Sequence, residues 1–449
     1  MSIKKNDEIK LKIEAMTAEG SGIGRYDGMA IFVANTAIGD EVVAHIIKAK
    51  SNYAIAKAIE IISPSADRIE PDCSVFTQCG GCVYRHINYE AEKQIKWQKV
   101  KDAFQRIGHI EIEPEKIIGA DNIMRYRNKA QYPTGFDKEL KIGFYATHSH
   151  RIVNCRDCVL QPEEFKNILG IFEEWIKENH IELYDEKNHR GYLRHIYLRQ
   201  GAVTKQIMAC AVVNGKRIKE LESLCEKLKS VENIKSIVLN INKNDTNVIL
   251  GEECITLWGE DYIEDELCSL KFRISPLSFY QVNHEQTEKL YKKAKEYARL
   301  TGDETLVDLY CGTGTIGLTM ADKAKKIIGV EIVEQAIENS KINAKINNIE
   351  NAEFICADAP TAAKQLLKKG IKPDVVIIDP PRKGCGEDLV KTIEKMEPQR
   401  VVYVSCDSAT LARDCEFFEQ SGYKVKEVTP VDLFPRTSHT EAVALLSRA

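Results

Sequence analysis

The stretch Leu306-Val307-Asp308-Leu309-Tyr310-Cys311-Gly312-Thr313-Gly314-Thr315-Ile316-Gly317 does most to limit the fold. A short apolar run, then three glycines within six residues, reads as a strand, a turn and the start of a helix; the glycines let backbone approach a ligand closely. Three further apolar runs each end in a carboxylate: Ile327 to Glu331, Phe354 to Asp358, and Val375 to Asp379. Such runs, rich in Val and Ile, are buried strands of a parallel sheet. Open sheets of this kind bind ligands at the carboxyl ends of their strands. The C-terminal part is therefore expected to be a Rossmann-like α/β domain with acidic groups along its binding edge.

Gly312-x-Gly314-x-x-Gly317 also fits the dinucleotide fingerprint, so the cofactor has to be argued. A pyrophosphate wants amide donors and no nearby anion. Asp308, four residues before Gly312, makes an acidic entry better suited to the cationic S-adenosylmethionine (SAM) than to NAD. Glu331, 17 residues after Gly314, is placed for ribose hydroxyls, Asp358 for adenine, and Asp379 points another carboxylate at the cleft. Asp379-Pro380-Pro381 is similar to the Asp-Pro-Pro-aromatic motif of methyltransferases that act on exocyclic amines, but Arg382 stands where the stacking aromatic belongs. The acceptor chemistry is then expected from the next strand end.

That strand is Val401-Val402-Tyr403-Val404-Ser405-Cys406-Asp407. A cysteine at a strand end is commonly just a buried thiol. Beside a SAM site it has a use. C5 of a pyrimidine is a weak nucleophile until a thiolate adds at C6, and a base must afterwards remove the C5 proton, so the site needs one cysteine and one carboxylate. Cys406 is the candidate nucleophile and Glu441, heading the last apolar run, the candidate base, with His439 as a lesser one. An ordinary thiol, pKa ~8.5, is little ionised at pH 7, so local activation of Cys406 is expected.

With 449 residues the chain is long enough for two to four domains. Alternating short runs and glycine turns over residues 1 to 62 predict a five-stranded barrel of the oligonucleotide-binding kind. Its first 60 residues carry eight Lys/Arg against eight Asp/Glu, and the whole chain has a net charge of -4, so any nucleic-acid site must be a local basic patch. No apolar run approaches the ~20 residues that span a bilayer, and the start lacks the apolar core of a signal peptide, so a cytoplasmic protein is expected. Cys73, Cys79 and Cys82 lie within ten residues, and Cys155 and Cys158 offer a fourth ligand. An iron-sulfur cluster, a Cys₄ zinc site and a redox-active Cys-x-x-Cys all fit that spacing. Residues 90 to 108 read as a helix. Residues 124 to 133, with Arg125, Arg127 and Lys129, and residues 191 to 199, with Arg194 and Arg199, read as basic strands with tyrosines that suit RNA.

Phe76-Thr77-Gln78-Cys79-Gly80-Gly81-Cys82, Tyr126-Arg127-Asn128-Lys129, Phe279-Tyr280-Gln281-Val282-Asn283, Asp379-Pro380-Pro381-Arg382-Lys383-Gly384, Val404-Ser405-Cys406-Asp407 and His439-Thr440-Glu441 together resemble the RNA uracil-C5 methyltransferases. The likeness is to the 23S ribosomal RNA branch, RumA-like and RlmCD-like, with an N-terminal TRAM domain and a [4Fe-4S] cluster. The resemblance implies Cys406 as nucleophile and Glu441 as proton acceptor. It implies SAM contacts from Gln281, Tyr310, Thr315, Glu331, Asp358 and Asp379, and cluster ligands Cys73, Cys79, Cys82 and Cys158. Asp407 stands where the family commonly has Asn, and Thr315 where some relatives have Asn. The expected organisation is a TRAM barrel over 1-62, a central α/β domain over 63-265 carrying the cluster, with the helix at 90 to 108 packing on the catalytic domain, and a SAM-dependent methyltransferase domain over 266-449. The expected product is 5-methyluridine in 23S rRNA made by a monomer, with the T-loop of tRNA as the rival substrate and a catalytically inactive RNA-binding module as the rival of another class.

Overall fold

The computed structural model describes residues 3–216 and 221–449. Strands β1 (Glu8–Met16), β2 (Gly22–Tyr26), β3 (Met29–Ala34), β4 (Glu41–Ala49) and β5 (Tyr53–Ser63) close into a barrel in the order β1-β2-β3-β5-β4. Alternation decides the faces: Ile9, Leu11 and Ile13 are buried while Lys10 and Lys12 point out. Gly24 is required where β2 lies against β1, because a Cβ there would stand 2.1 Å from Leu11 Cδ1.

Helix α1 (Tyr89–Arg106) starts at Asn88, whose side chain accepts the Ala91 N–H. By sequence α1 lies between barrel and central sheet, but Val100, Ala103 and Phe104 are buried in the core of the C-terminal sheet. The central sheet takes β6 (Lys129–Asp137), β7 (Glu139–Tyr145), β8 (Ile152–Asn154), β9 (Leu193–Gln200), β10 (Ile207–Val213), β11 (Ile234–Ile241) and β12 (Glu253–Gly259), in the order β12-β11-β10-β9-β6-β7-β8. One face packs under α2 (Glu164–Glu178) and α3 (Glu222–Lys229). The other contributes Tyr197, Met208, Cys210, Val212 and Val238 to the core it shares with the C-terminal domain. Strands covered on both faces explain why β9 and β10 are buried at every position.

The boundary expected between 265 and 266 falls inside the hairpin of β13 (Ile263–Leu267) and β14 (Leu270–Ile274), which packs as one unit into the shared core. Beyond it come α4 (His284–Ala298), β15 (Thr305–Leu309), α5 (Thr315–Leu318), β16 (Lys326–Glu331), α6 (Glu334–Ile346), β17 (Ala352–Cys356), α7 (Ala359–Lys368), β18 (Val375–Ile378), α8 (Glu387–Met396), β19 (Arg400–Ser405), α9 (Ser408–Gln420), β20 (Tyr423–Val431) and β21 (Glu441–Arg448). The sheet order is β17-β16-β15-β18-β19-β21-β20, with β21 antiparallel to both its neighbours. Because β21 runs against β19, its first residue lies at the carboxyl edge of the parallel strands. No helix among the described residues is long and apolar enough to cross a membrane.

Candidate active site

At the end of β15 the chain turns through Tyr310, held at φ +75°, into the glycine loop. Glu331 pins that loop to β16: one carboxylate oxygen accepts the Gly312 N–H at 3.1 Å, the other the N–H groups of Ile332 and Val333 at 2.8 and 3.0 Å. Gly314 begins α5 at φ +83°, and a Cβ there would press to 3.0 Å on Leu318 Cδ1. Beneath the loop Asp308 is wholly buried. Its Oδ2 accepts the Gly317 N–H at 3.0 Å, and its Oδ1 has no hydrogen-bond partner among the described residues. Burial, with Glu331 adding repulsion, pushes its carboxyl up to about 7. An orphaned carboxylate oxygen under a glycine cradle fits a cationic cofactor such as SAM better than an anionic pyrophosphate. Thr315 shares a 3.0 Å hydrogen bond with the Tyr291 hydroxyl. Asp358 caps α7 by accepting the Thr361 N–H at 3.0 Å. Gln281 lies in the segment leading to α4, its carbonyl accepting a hydrogen bond from Asn128 at 3.0 Å.

Cys406 and Glu441 come from different elements, and the β-ladder joins them. Ser405 pairs with Ala442 at the end of the β19–β21 register, so one step further Cys406 and Glu441 face each other. Asp379, at the end of β18, completes the group: Glu441 and Asp379 both repel the Cys406 thiolate. Burial first, then these carboxylates, pushes the thiol up to about 11. The local activation expected for Cys406 is thus reversed in the protein alone, because burial and the neighbouring carboxylates outweigh the opposing charge of Arg382. Glu441 is 4% exposed, and burial with Asp379 beside it raises its carboxyl to about 8. Desolvation, helped by Arg382 and Lys99, lowers His439 to about 4, which leaves a neutral and weakly basic imidazole. Asp407, where the family commonly has Asn, caps α9 through the N–H groups of Ala409 and Thr410, a task Asn would also perform.

Two contributors were not singled out from the sequence. Arg382, noted in the sequence only as standing where a stacking aromatic belongs, is a cation acting on Cys406, Glu441 and His439 together; its sequence signal is a charged residue three places after the carboxylate that ends a strand. Asp414 in α9 is fully buried and holds the turn that carries Arg382 by accepting the Cys385 N–H at 2.8 Å, and it also binds the Tyr403 hydroxyl at 2.7 Å.

Cys73, Cys79, Cys82, Cys155 and Cys158 line one cavity of about 260 Å³. Among the described residues no three His, Cys, Asp or Glu side chains form a site for a metal ion. The cavity is also walled by Arg85, Arg127 and Lys129. Arg85 donates to Cys82 Sγ at 3.4 Å and pairs with Asp72. Burial raises Cys79, and raises Cys82 to about 11. Cys158, hydrogen-bonded by Cys155 and by the Leu160 N–H, is pulled below the usual thiol range, while Cys155 is pushed above it.

The basic strands behave differently from expectation. Arg194 and Arg199, 5% and 2% exposed, donate to carbonyls of Asn242, Asn244, Ser275 and Ser278, so the face expected at 191 to 199 is spent on internal backbone rather than offered to RNA. Arg125, in a left-handed turn outside β6, pairs with Asp157 and with the carbonyls of Cys158 and Gln161. Burial and neighbouring arginines lower Lys129 to about 7.

Comparison with known proteins agrees with this architecture. The family model described as tRNA (Uracil-5-)-methyltransferase matches residues 202–449, and the TRAM domain model matches residues 4–59. An uncharacterized RNA methyltransferase of Clostridium tetani is 48% identical over 99% of this chain and 97% of its own length, and one of Halalkalibacterium halodurans is 44% identical over 99% and 98%. The crystal structure of Pyrococcus abyssi tRNA (uracil-54, C5)-methyltransferase in complex with S-adenosyl-L-homocysteine superposes with a TM-score of 0.80 at 28% identity, covering 97% of this chain and 99% of that one. A family model that matches residues 202–449 and a relative 48% identical over 99% of the chain show that the chain belongs to the tRNA (uracil-5-)-methyltransferase family, the enzymes of SAM-dependent RNA uracil-C5 methylation, and it carries a TRAM domain.

Proposed function

We propose that the chain methylates C5 of a uridine in 23S ribosomal RNA, with Cys406 as the nucleophile and Glu441 as the proton acceptor. The observation that carries the residue roles is the β19–β21 register, which sets the thiol opposite the carboxylate at the ligand-binding edge of the sheet. Bound SAM supplies the methyl group and a positive charge. Gln281, Tyr310, Thr315, Glu331, Asp358 and Asp379 are the groups that would hold it. Cys406 Sγ bonds to C6 of the ring, which makes C5 nucleophilic enough to take the methyl group. Glu441 then accepts the C5 proton, the Sγ–C6 bond breaks, and the C5–C6 double bond returns. Both faces of the ring must be reached, so the uridine leaves its stack at a cost of a few kcal/mol. A cation arriving among Asp308, Asp379 and Glu441 favours the ionised carboxylates, which relieves the proton burden seen in the protein alone.

Cys73, Cys79, Cys82 and Cys158 would hold a [4Fe-4S] cluster. Thiols that wall a cavity, rather than converge on a point, suit a cluster more than a single ion, and the cations around them offset the charge of four thiolates. Its contribution is a cross-link between the segment after the barrel and the edge of the central sheet. The barrel and the cysteine pattern, through their resemblance to the ribosomal branch, support the ribosomal substrate. A second reading, the T-loop of tRNA, is supported by the full-length likeness to the Pyrococcus abyssi enzyme, which includes barrel and central sheet and so removes the barrel as a discriminator. Methyl transfer from labelled SAM to unmodified 23S and tRNA transcripts, with Cys406→Ala as control and nucleoside digestion after it, tests the reading. Label in 5-methyluridine of 23S RNA, lost in the variant, is expected. Label in tRNA alone would replace the substrate, and an unimpaired variant would remove Cys406 from the chemistry.

A further inference from the structure

A cavity of about 1050 Å³ opens on the central sheet between the β6–β7 hairpin and the chain entering β9, far larger than the thiol-lined one. Its floor includes Tyr184 and the buried His195, whose Nε2 lies 3.5 Å from the Tyr145 hydroxyl and whose Nδ1 has no partner. At its rim Phe136 is 73% exposed, a bare aromatic ring at the tip of a hairpin. The charges around it do not cancel. Asp137 is paired with Lys141 at 2.9 Å, Glu186 with His150 and with the Tyr145 hydroxyl, and Asp185 accepts the Lys187 N–H and the Asn188 amide. The exposed Lys187 ammonium lies near enough to Asp185 to help lower its carboxyl, whereas the exposed Arg151 guanidinium, which also lines the cavity, makes no ion pair among the described residues.

Exposed cations beside an exposed ring, over a floor of aromatic and hydrogen-bonding groups, are the recognition chemistry of an unstacked nucleotide: the ring stacks a base and the cations take its phosphates. Its lining includes neither Cys406, Glu441, Asp379 nor Arg382, so the cavity is distinct from the pocket for the methylated base. We propose that it binds a second nucleotide of the substrate RNA, splayed out of its stack, and thereby adds to the affinity with which the RNA is held. This deepens the RNA methylation reading and rests on it, but not on which RNA is the substrate.

The test uses the full chain and whichever transcript the wild type methylates, with Phe136→Ala, Arg151→Ala and Lys187→Ala, all exposed positions whose replacement spares the core. Filter binding should show Kd for the transcript raised about tenfold by Phe136→Ala, as for the loss of one base stack. Each cation removed should flatten the slope of log Kd against log salt by about 0.7. KM for RNA should follow Kd while kcat at saturating RNA and Kd for SAM stay unchanged. Unaltered Kd and salt slope in all three variants would overturn the proposal, as would a fall in kcat at unchanged KM. Loss of the parent reading looks different: the wild type then methylates neither transcript.

Discussion

The chain keeps thiols in two unlike settings, and the contrast shows how neighbours decide what a cysteine is for. Burial first, then Glu441, Asp379 and Asp407, pushes the Cys406 thiol up to about 11 against the opposing charge of Arg382. The five thiols of the central cavity face Arg85, Arg127 and Lys129. Among them Cys158 is drawn toward the thiolate by two hydrogen bonds and by the arginines. A thiolate needed for one step of a reaction is best held back until its substrate and a cationic cofactor arrive. In the cavity burial still raises Cys79, and Cys82 to about 11, so the favour falls on Cys158, the thiol that the hydrogen bonds reach.

The largest effect is expected where the contrast is sharpest. Glu441→Gln leaves Cys406 able to add to C6 but removes the acceptor of the C5 proton, so turnover should fall by about 10²- to 10⁴-fold while a covalent enzyme–RNA adduct accumulates. A denaturing gel reads the adduct, and its absence would assign the proton to another base. Next comes reactivity. In protein prepared without iron or zinc, iodoacetamide at pH 7 should label Cys158 roughly a hundredfold faster than Cys406, followed by peptide mapping. In Glu441→Gln the labelling midpoint of Cys406 should drop below about 11, because its strongest repulsive neighbour has lost its charge. Equal rates at the two thiols would erase the distinction.

A smaller effect follows from burying the base. Glu441 has a folded pKa of about 8 against an ordinary 4.5, so the folded state binds its proton more tightly than the unfolded one. Stability from this group is complete below about pH 4.5 and is lost as pH rises through 8. Urea unfolding should therefore find Glu441→Gln close to wild type near pH 4.5 and more stable by on the order of 5 kcal/mol at pH 9. A pH-independent difference would mean that the carboxyl is not desolvated as the ladder places it.

Much of the C-terminal half was legible from sequence because its signals are local. A glycine loop after a strand and carboxylates at strand ends are fixed by neighbours in the chain, and Asp308, Glu331 and Asp379 lie at the edge where the pattern put them. The pairing of Cys406 with Glu441 was not legible from physics alone, since it depends on β21 entering between β19 and β20 in reverse direction. The basic strand at 191 to 199 misled for the opposite reason. Alternating Arg and Tyr look amphipathic, but a sheet covered on both sides buries both faces, and Arg194 and Arg199 found backbone carbonyls inside. Arg382 and Asp414 escaped because their importance comes from contacts across loops, which leave no periodicity.

The smallest effect separates two duties of one residue. Asp358 was expected at the cofactor, and it also caps α7, where burial is slight and hydrogen bonds from Thr361 hold its carboxyl below the usual range. Asp358→Asn keeps an N-cap oxygen and so should leave stability unchanged within a few tenths of a kcal/mol, whereas Asp358→Ala should cost about 1 kcal/mol. If the carboxylate also accepts a hydrogen bond from SAM, titration calorimetry should show both variants weakened for SAM, because an amide oxygen in Asn is a poorer acceptor than a charged carboxylate. If only Ala weakens SAM binding, in step with its loss of stability, the cap alone matters and the adenine contact lies with other groups at the end of β17. Among the acids along this edge, Asp358 is the one whose structural and cofactor roles can be told apart by so conservative a change, since Glu331 holds the glycine loop with both its oxygens and Asp308 is buried beneath it.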